Sequence, residues 1–151
     1  MAELQITTRE KVDRLQAALD AVPQVDCPVR HYFAPGLYAR EITIPQGVCL
    51  IGAIHKTENL VVLSAGRLRL VTDDGVVEVC APFSMTCQPG AKNAAVALET
   101  AVWTNFFANP DNETDIDKLV ERLTESKASD LLGGSSNRQL LANHATEQLE
   151  N

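Results

Sequence analysis

Residues 45–66 read PQGVCLIGAIHKTENLVVLSAG. Two aliphatic runs flank a polar centre, His55-Lys56-Thr57-Glu58-Asn59, and the stretch opens on Pro45-Gln46-Gly47 and closes on Ser64-Ala65-Gly66. Short apolar runs bounded by glycine and proline are strand signals, because the breakers leave too few residues for a buried helix. Strands are therefore expected over 47–55 and 60–63, joined by a turn rich in groups that can do chemistry.

Outward from this stretch the pattern repeats. Further strands are expected over 37–44, 67–72, 76–80, 83–87, 94–98 and 101–107, each cut off by turn residues. Asp73-Asp74-Gly75 reads as a tight hairpin, since Asp-Gly supplies the positive φ values of a type I′ turn. Many short strands with close turns predict a closed barrel or sandwich, an arrangement that also removes exposed edges.

Helical spacing appears only at the two ends. Thr7 and Glu10 fit a capping box, and Val12, Leu15, Leu19 and Val22 form a one-sided stripe that predicts a helix over 8–22. A barrel wall or a second subunit would cover that stripe equally well. Ile116, Leu119, Val120 and Leu123, preceded by Thr114 and Asp115, predict a second amphipathic helix ending near Lys127. Residues 130–136 then read as a connector, and 137–149 either as a short helix with Leu140 and Leu141 as its apolar contacts or as a polar disordered tail. The expected organisation is an N-terminal helix and linker over 1–26, a β-barrel over 27–110, and a C-terminal helix with an extended tail over 111–151.

The 151 residues suit one domain with a real core. Against 20 acidic residues stand 13 basic ones, and the resulting charge of −7 repels a phosphate backbone, so nucleic acid is not expected as a partner. No run approaches the ~18 apolar residues of a membrane span, and the first residues lack the basic and apolar regions of an export signal. A cytosolic setting is the expectation. Cys27, Cys49, Cys80 and Cys87 form no C-x2-C pair and read as reduced core thiols.

Residues 45–66 together with Cys87-Gln88-Pro89-Gly90-Ala91-Lys92-Asn93 resemble the two motifs of the cupin family. More narrowly, the run from His31 to Glu41, the Ala81-Pro82-Phe83 turn and Val102-Trp103-Thr104 resemble small cupin proteins of tailed bacteriophages and prophages, over roughly residues 8–125. The resemblance implies a mainly β fold, a single jelly-roll barrel flanked by an N-terminal helix and C-terminal helices. In metal-binding cupins two histidines, an acid and a later histidine converge inside the barrel. Aligned on Gly47 and Gly66, those positions hold Ala53, His55, Asn59 and Asn93 here. Related phage proteins often carry histidines where Thr57 and Asn59 stand. Only His55 is a strong ligand, whereas stable sites offer three or more N, O⁻ or S⁻ donors, so no metal cofactor is expected.

The resemblance then leaves two classes of function open. One is a non-catalytic phage cupin, a structural or binding module that forms a dimer or higher homo-oligomer in the bacterial host cytoplasm, with other phage proteins or the virion as further partners. The other is a cupin enzyme, such as an isomerase or epimerase of a keto-sugar nucleotide, with His55 as general base and Tyr38 as its partner acid. Sequestration of a small nucleotide is a third reading. Arg40, His55, Asn59, Lys92 and Asn93 are the candidate ligand-binding residues. Arg40, Arg67 and Arg69 suit either an anion site in a barrel mouth or a solvated outer face. His31 reads as a packed side chain or a backbone hydrogen-bond partner, and Trp103 as core or subunit interface.

Overall fold

A computed structural model describes residues 8–23, 25–72, 74–125 and 137–139. Its frame is a pair of long strands, β4 (Asn59–Thr72) and β7 (Ala94–Asn109). Sequence predicts two strands in each region, and the structure joins them. The two strands pair along most of their length, with register shifts between Leu63 and Leu68, so the ladder bends at Gly66 without breaking. Gly66 takes a φ of +83°, and a Cβ placed on it would lie 2.2 Å from the Thr100 carbonyl oxygen.

The bulge has a consequence for orientation. Before it, Val61 and Leu63 of β4 are buried; after it, Leu68 and Leu70 are buried in the same core. Inward parity thus changes from odd to even, as one extra residue in a strand requires. On β7 the inward parity stays odd through Ala97, Ala101, Trp103, Asn105 and Phe107. Arg67 and Arg69 are thereby turned outward, where they pair with Glu78 and Glu99 at 3.0 to 3.8 Å. Arg67 takes the solvated outer-face position that was one of the two readings, whereas Arg69 faces the same way but is largely covered.

Around the frame, β4 also pairs with β5 (Gly75–Cys80) and β6 (Phe83–Cys87), while β7 pairs with β2 (Gly36–Ile44) and β3 (Val48–Ile51). A further strand, β1 (Val29–Ala34), adds to β2 and was not anticipated from sequence. All described pairings are antiparallel and belong to one eight-stranded sheet curled around a common core. The hairpin at 72–75 is present, with Thr72 paired to Gly75. A positive φ falls on Gly75, and Asp73 within the turn lies outside the described residues.

Helix α1 (Thr8–Asp20) buries Val12, Leu15 and Leu19 against Cys49, Ile51, Val71, Ala94 and Val96. The barrel wall therefore covers its stripe, each side chain contributing about 1.5–3 kcal/mol of gross burial. The second helix, α2 (Ile116–Leu123), is capped by Asp115, whose side chain accepts from the Asp117 and Lys118 amides. It ends at Leu123, short of the expected Lys127. Asn137–Gln139, expected within a helix or a disordered tail, form strand β8 instead and pair with β3, whose outer edge offers unsatisfied backbone groups. Thr7 of the capping box, the 130–136 connector and Leu140, Leu141 and His144 lie outside the described residues. No helix among the described residues is long and apolar enough to cross a membrane.

Candidate functional site

The inner face of the sheet leaves a cavity of about 110 Å³. Register places its wall in rows. Phe33, Tyr38 and Phe107 are lateral neighbours on β1, β2 and β7, and the next row runs His31, Arg40, Asn105, Val61 and Met85; of these, Tyr38, Phe107, Arg40, Asn105 and Met85 line the cavity. Alternation along β2 sends Tyr38, Arg40, Ile42 and Ile44 into the cavity. For Arg40 this overturns the outer-face reading, since it shares the parity of Ile42 and Ile44, which face the core.

Arg40 borders the void and remains partly accessible through it. Burial nevertheless lowers its pKa, the leading cause. Among the described residues no side chain or carbonyl hydrogen-bonds its guanidinium and no carboxylate pairs with it. The neighbours that favour its charge are Tyr38 and Cys27, and burial pushes those groups up to about 12 and about 11, so both are neutral near pH 7. None of the described residues lining the cavity is Asp or Glu.

His55 also borders the cavity, edge-on to Phe107 with ring centroids 5.5 Å apart. Its position is set by α2 rather than by a strand. Strand β3 stops at Ile51, and His55 forms an isolated bridge with Thr124. The Lys56 amide donates to the Leu123 carbonyl at 2.8 Å, and the Glu125 amide to the Ile54 carbonyl at 2.9 Å. Leu119, Val120, Leu123 and Thr124 thereby close one end of the cavity.

Tyr38 packs between aromatic neighbours, stacked with Phe33, Phe107 and His31, and its hydroxyl lies 2.7 Å from His31 Nδ1. The partner of His31 is thus a side chain, where sequence reading expected packing or backbone. A chain of hydrogen bonds runs outward from the wall. Trp103 Nε1 donates to Asn105 Oδ1 at 3.1 Å, Asn105 Nδ2 donates to Asn59 Oδ1 at 2.9 Å, and Asn59 Nδ2 donates to the Thr57 carbonyl at 3.2 Å. Asn59 is therefore held in the wall and does not line the cavity. Asn93 does line it. Lys92 is directed elsewhere: its ammonium bonds Asp13 and Gln16 and ties α1 to the loop before β7. Asn105, Trp103 and Thr124 are among the cavity residues that sequence reading did not nominate, because their placement follows from register and from the docking of α2.

Burial lowers the pKa of both His31 and His55, with the nearby Arg40 charge a further cause. The unfolded chain then takes up protons that the fold resists, so stability falls as pH drops below about 6.5. Urea midpoints at pH 7.5, 6.5 and 5.5 are expected to decline in that order, with a smaller decline in His55→Gln. A flat profile over this window would contradict the assignment of neutral imidazoles.

Cys27, Cys49 and Cys87 are buried free thiols and Cys80 is exposed. Burial raises Cys49 to about 12 and also raises Cys87, which keeps both protonated and unreactive.

No family model matches the chain, and no curated protein matches it by sequence. Solved structures do. Oxalate decarboxylase from Lactobacillus farciminis, in a formate complex, has a TM-score of 0.51 at 13% identity, over 76% of this chain and 36% of that one. A second oxalate decarboxylase structure has a TM-score of 0.50 at 15% identity, over 64% of this chain and 31% of that one. This chain spans about a third of their length. The fold is a cupin fold. An RmlC-like cupin family protein with a double-stranded β-helix fold, from Methanocaldococcus jannaschii, is also similar, at a TM-score of 0.47 and 11% identity over 57% of this chain and 84% of that one. At these identities the likeness conveys the fold and no activity.

Cupin metal chemistry can be tested against the residues present. Of the four motif positions, Ala53 has no donor, Asn59 is engaged with Asn105, and His55 and Asn93 remain on the cavity. The described residues contain no group of three or more His, Cys, Asp or Glu side chains placed to share an ion. A guanidinium in the same cavity repels a divalent cation further. The donor set does not fit a metal.

Proposed function

We propose that this cupin is a metal-independent binding module whose barrel holds a small molecule. The observation that carries the reading is the polar set of the cavity: one guanidinium, one imidazole, and neutral amide, hydroxyl, thiol and indole groups, with no carboxylate among the described lining residues. The reading is non-catalytic. An enzyme using Tyr38 as acid would need a proton from a phenol that burial raises to about 12 and that His31 already engages.

Self-association is part of the proposal. Tyr32, Leu37, Leu60 and Phe106 are large apolar residues exposed on the outer face of β1, β2, β4 and β7, beside the β1 edge. The extension to a phage or virion component rests on the sequence resemblance, and co-sedimentation with phage particles tests it.

Native mass spectrometry combined with elemental analysis of the purified protein tests the core of the reading. The expected result is an oligomer free of stoichiometric transition metal. One equivalent of iron, manganese or zinc per chain would overturn the metal-independent reading.

A further inference from the structure

We propose that the barrel cavity is a site for a small organic monoanion, a short carboxylate with a compact apolar body, and that Arg40 is the group that binds its charge. The inference rests on the binding-module reading and names its ligand class.

The first argument is the unmet charge. A guanidinium partly shielded from bulk water is less well hydrated than an exposed one unless a partner restores what is lost. Among the described residues Arg40 has none, and its closest electrostatic neighbours, Tyr38 and Cys27, are neutral. The cross-strand neighbours of Arg40 are His31 and Asn105, and both are committed to other side chains. A ligand carboxylate would complete the set with two parallel N–H···O bonds, the geometry a guanidinium presents best.

The second argument is the rest of the wall. His55 and Asn93 face the same cavity, and no described group hydrogen-bonds either side chain, so each can donate to the ligand. The remaining surface is largely apolar, with Ile42, Ile44, Leu70 and Leu119 among its residues. Such a lining favours a hydrocarbon body and a single charge over a fully hydrated polyanion. The third argument is size. A volume of about 110 Å³, below the ~150 Å³ that takes benzene but open on one side, suits a short ligand whose chain lies in the cavity.

The test is titration of the full-length protein with butyrate, butyramide, butylammonium and inorganic phosphate, read by calorimetry and by the shift in melting temperature. Butyrate is expected to bind and stabilise, while the isosteric amide and the cation do not. Arg40→Gln is expected to weaken butyrate by roughly thirtyfold or more, as loss of a buried charge-pair partner does. Asn105→Asp is expected to abolish binding as well, because it sets a carboxylate directly across from Arg40. Arg40→Met, without ligand, is expected to melt higher than the parent protein, since it removes an uncompensated charge.

Equal binding of butyrate and butyramide, unchanged affinity in Arg40→Gln, binding of phosphate alone, or no binding by any probe would each overturn the carboxylate site. So would a lower melting temperature in Arg40→Met, which would mark Arg40 as structural. Binding of the neutral amide alone would leave the module reading intact, whereas a stoichiometric metal would defeat that reading first.

Discussion

Gly66→Ala is expected to destabilise the protein by about 3–5 kcal/mol, a large part of the ~5–15 kcal/mol that holds a domain folded. Two costs combine. The φ of +83° is unfavourable to any side chain, at about 1–2 kcal/mol. The new methyl carbon would also meet the Thr100 carbonyl oxygen at 2.2 Å and the Ala101 Cα at 2.7 Å, both backbone atoms of the facing strand. Neither can swing aside as a flexible side chain would, so β4 and β7 must separate where their register shifts. Gly47→Ala is the control. Its φ is +84° but nothing lies within 4 Å of the added carbon, so only the conformational cost of about 1 kcal/mol applies. Urea unfolding of the two variants separates clash from conformation. Equal losses would show that the close approach of β4 and β7 contributes nothing.

Asn105→Ala is expected to cost about 2–5 kcal/mol. Its carboxamide accepts from Trp103 and donates to Asn59, and Asn105 and Asn59 are both buried. Truncation leaves a Trp103 N–H donor and an Asn59 oxygen without partners, and each unsatisfied buried group costs about 1–3 kcal/mol. Asn59 would also lose its anchor in the wall. Trp103→Phe in the same background reads the coupling, because it removes the donor that Asn105→Ala orphans. Additive losses in the double variant would show that the pair does not interact.

Much of this architecture was legible in residues 45–66 and their surroundings. Gly47 and Gly66, the alternation in β2, the extent of β6 and the two helical stripes all report on local conformation, which periodicity and turn chemistry encode directly. Strand β1 escaped notice for a physical reason. It pairs with one neighbour and is largely exposed, so VRHYFA carries no burial alternation for a pattern to reveal. The joining of 60–63 with 67–72 escaped notice because glycine ends strands in most contexts, and that of 94–98 with 101–107 because the polar pair Glu99-Thr100 interrupts the apolar run. Here the glycine permits two backbones to approach.

The candidate site divides in the same way. Sequence alone placed His55 and Asn93 in the motif segments and showed that the motif positions held too few strong donors for a metal. Parity along β2 is also local, but an arginine suits an outer face as well, and the structure turned Arg40 inward with Ile42 and Ile44. Tertiary structure decided what no local pattern holds. It held Asn59 in the wall, drew Lys92 to α1, turned Arg67 and Arg69 outward through the bulge, and closed the cavity with α2. It also left Arg40 without a carboxylate among the described residues. Partners and enclosed volume depend on which distant strands and helices meet, and that is determined by packing across the whole barrel rather than by neighbours in the chain.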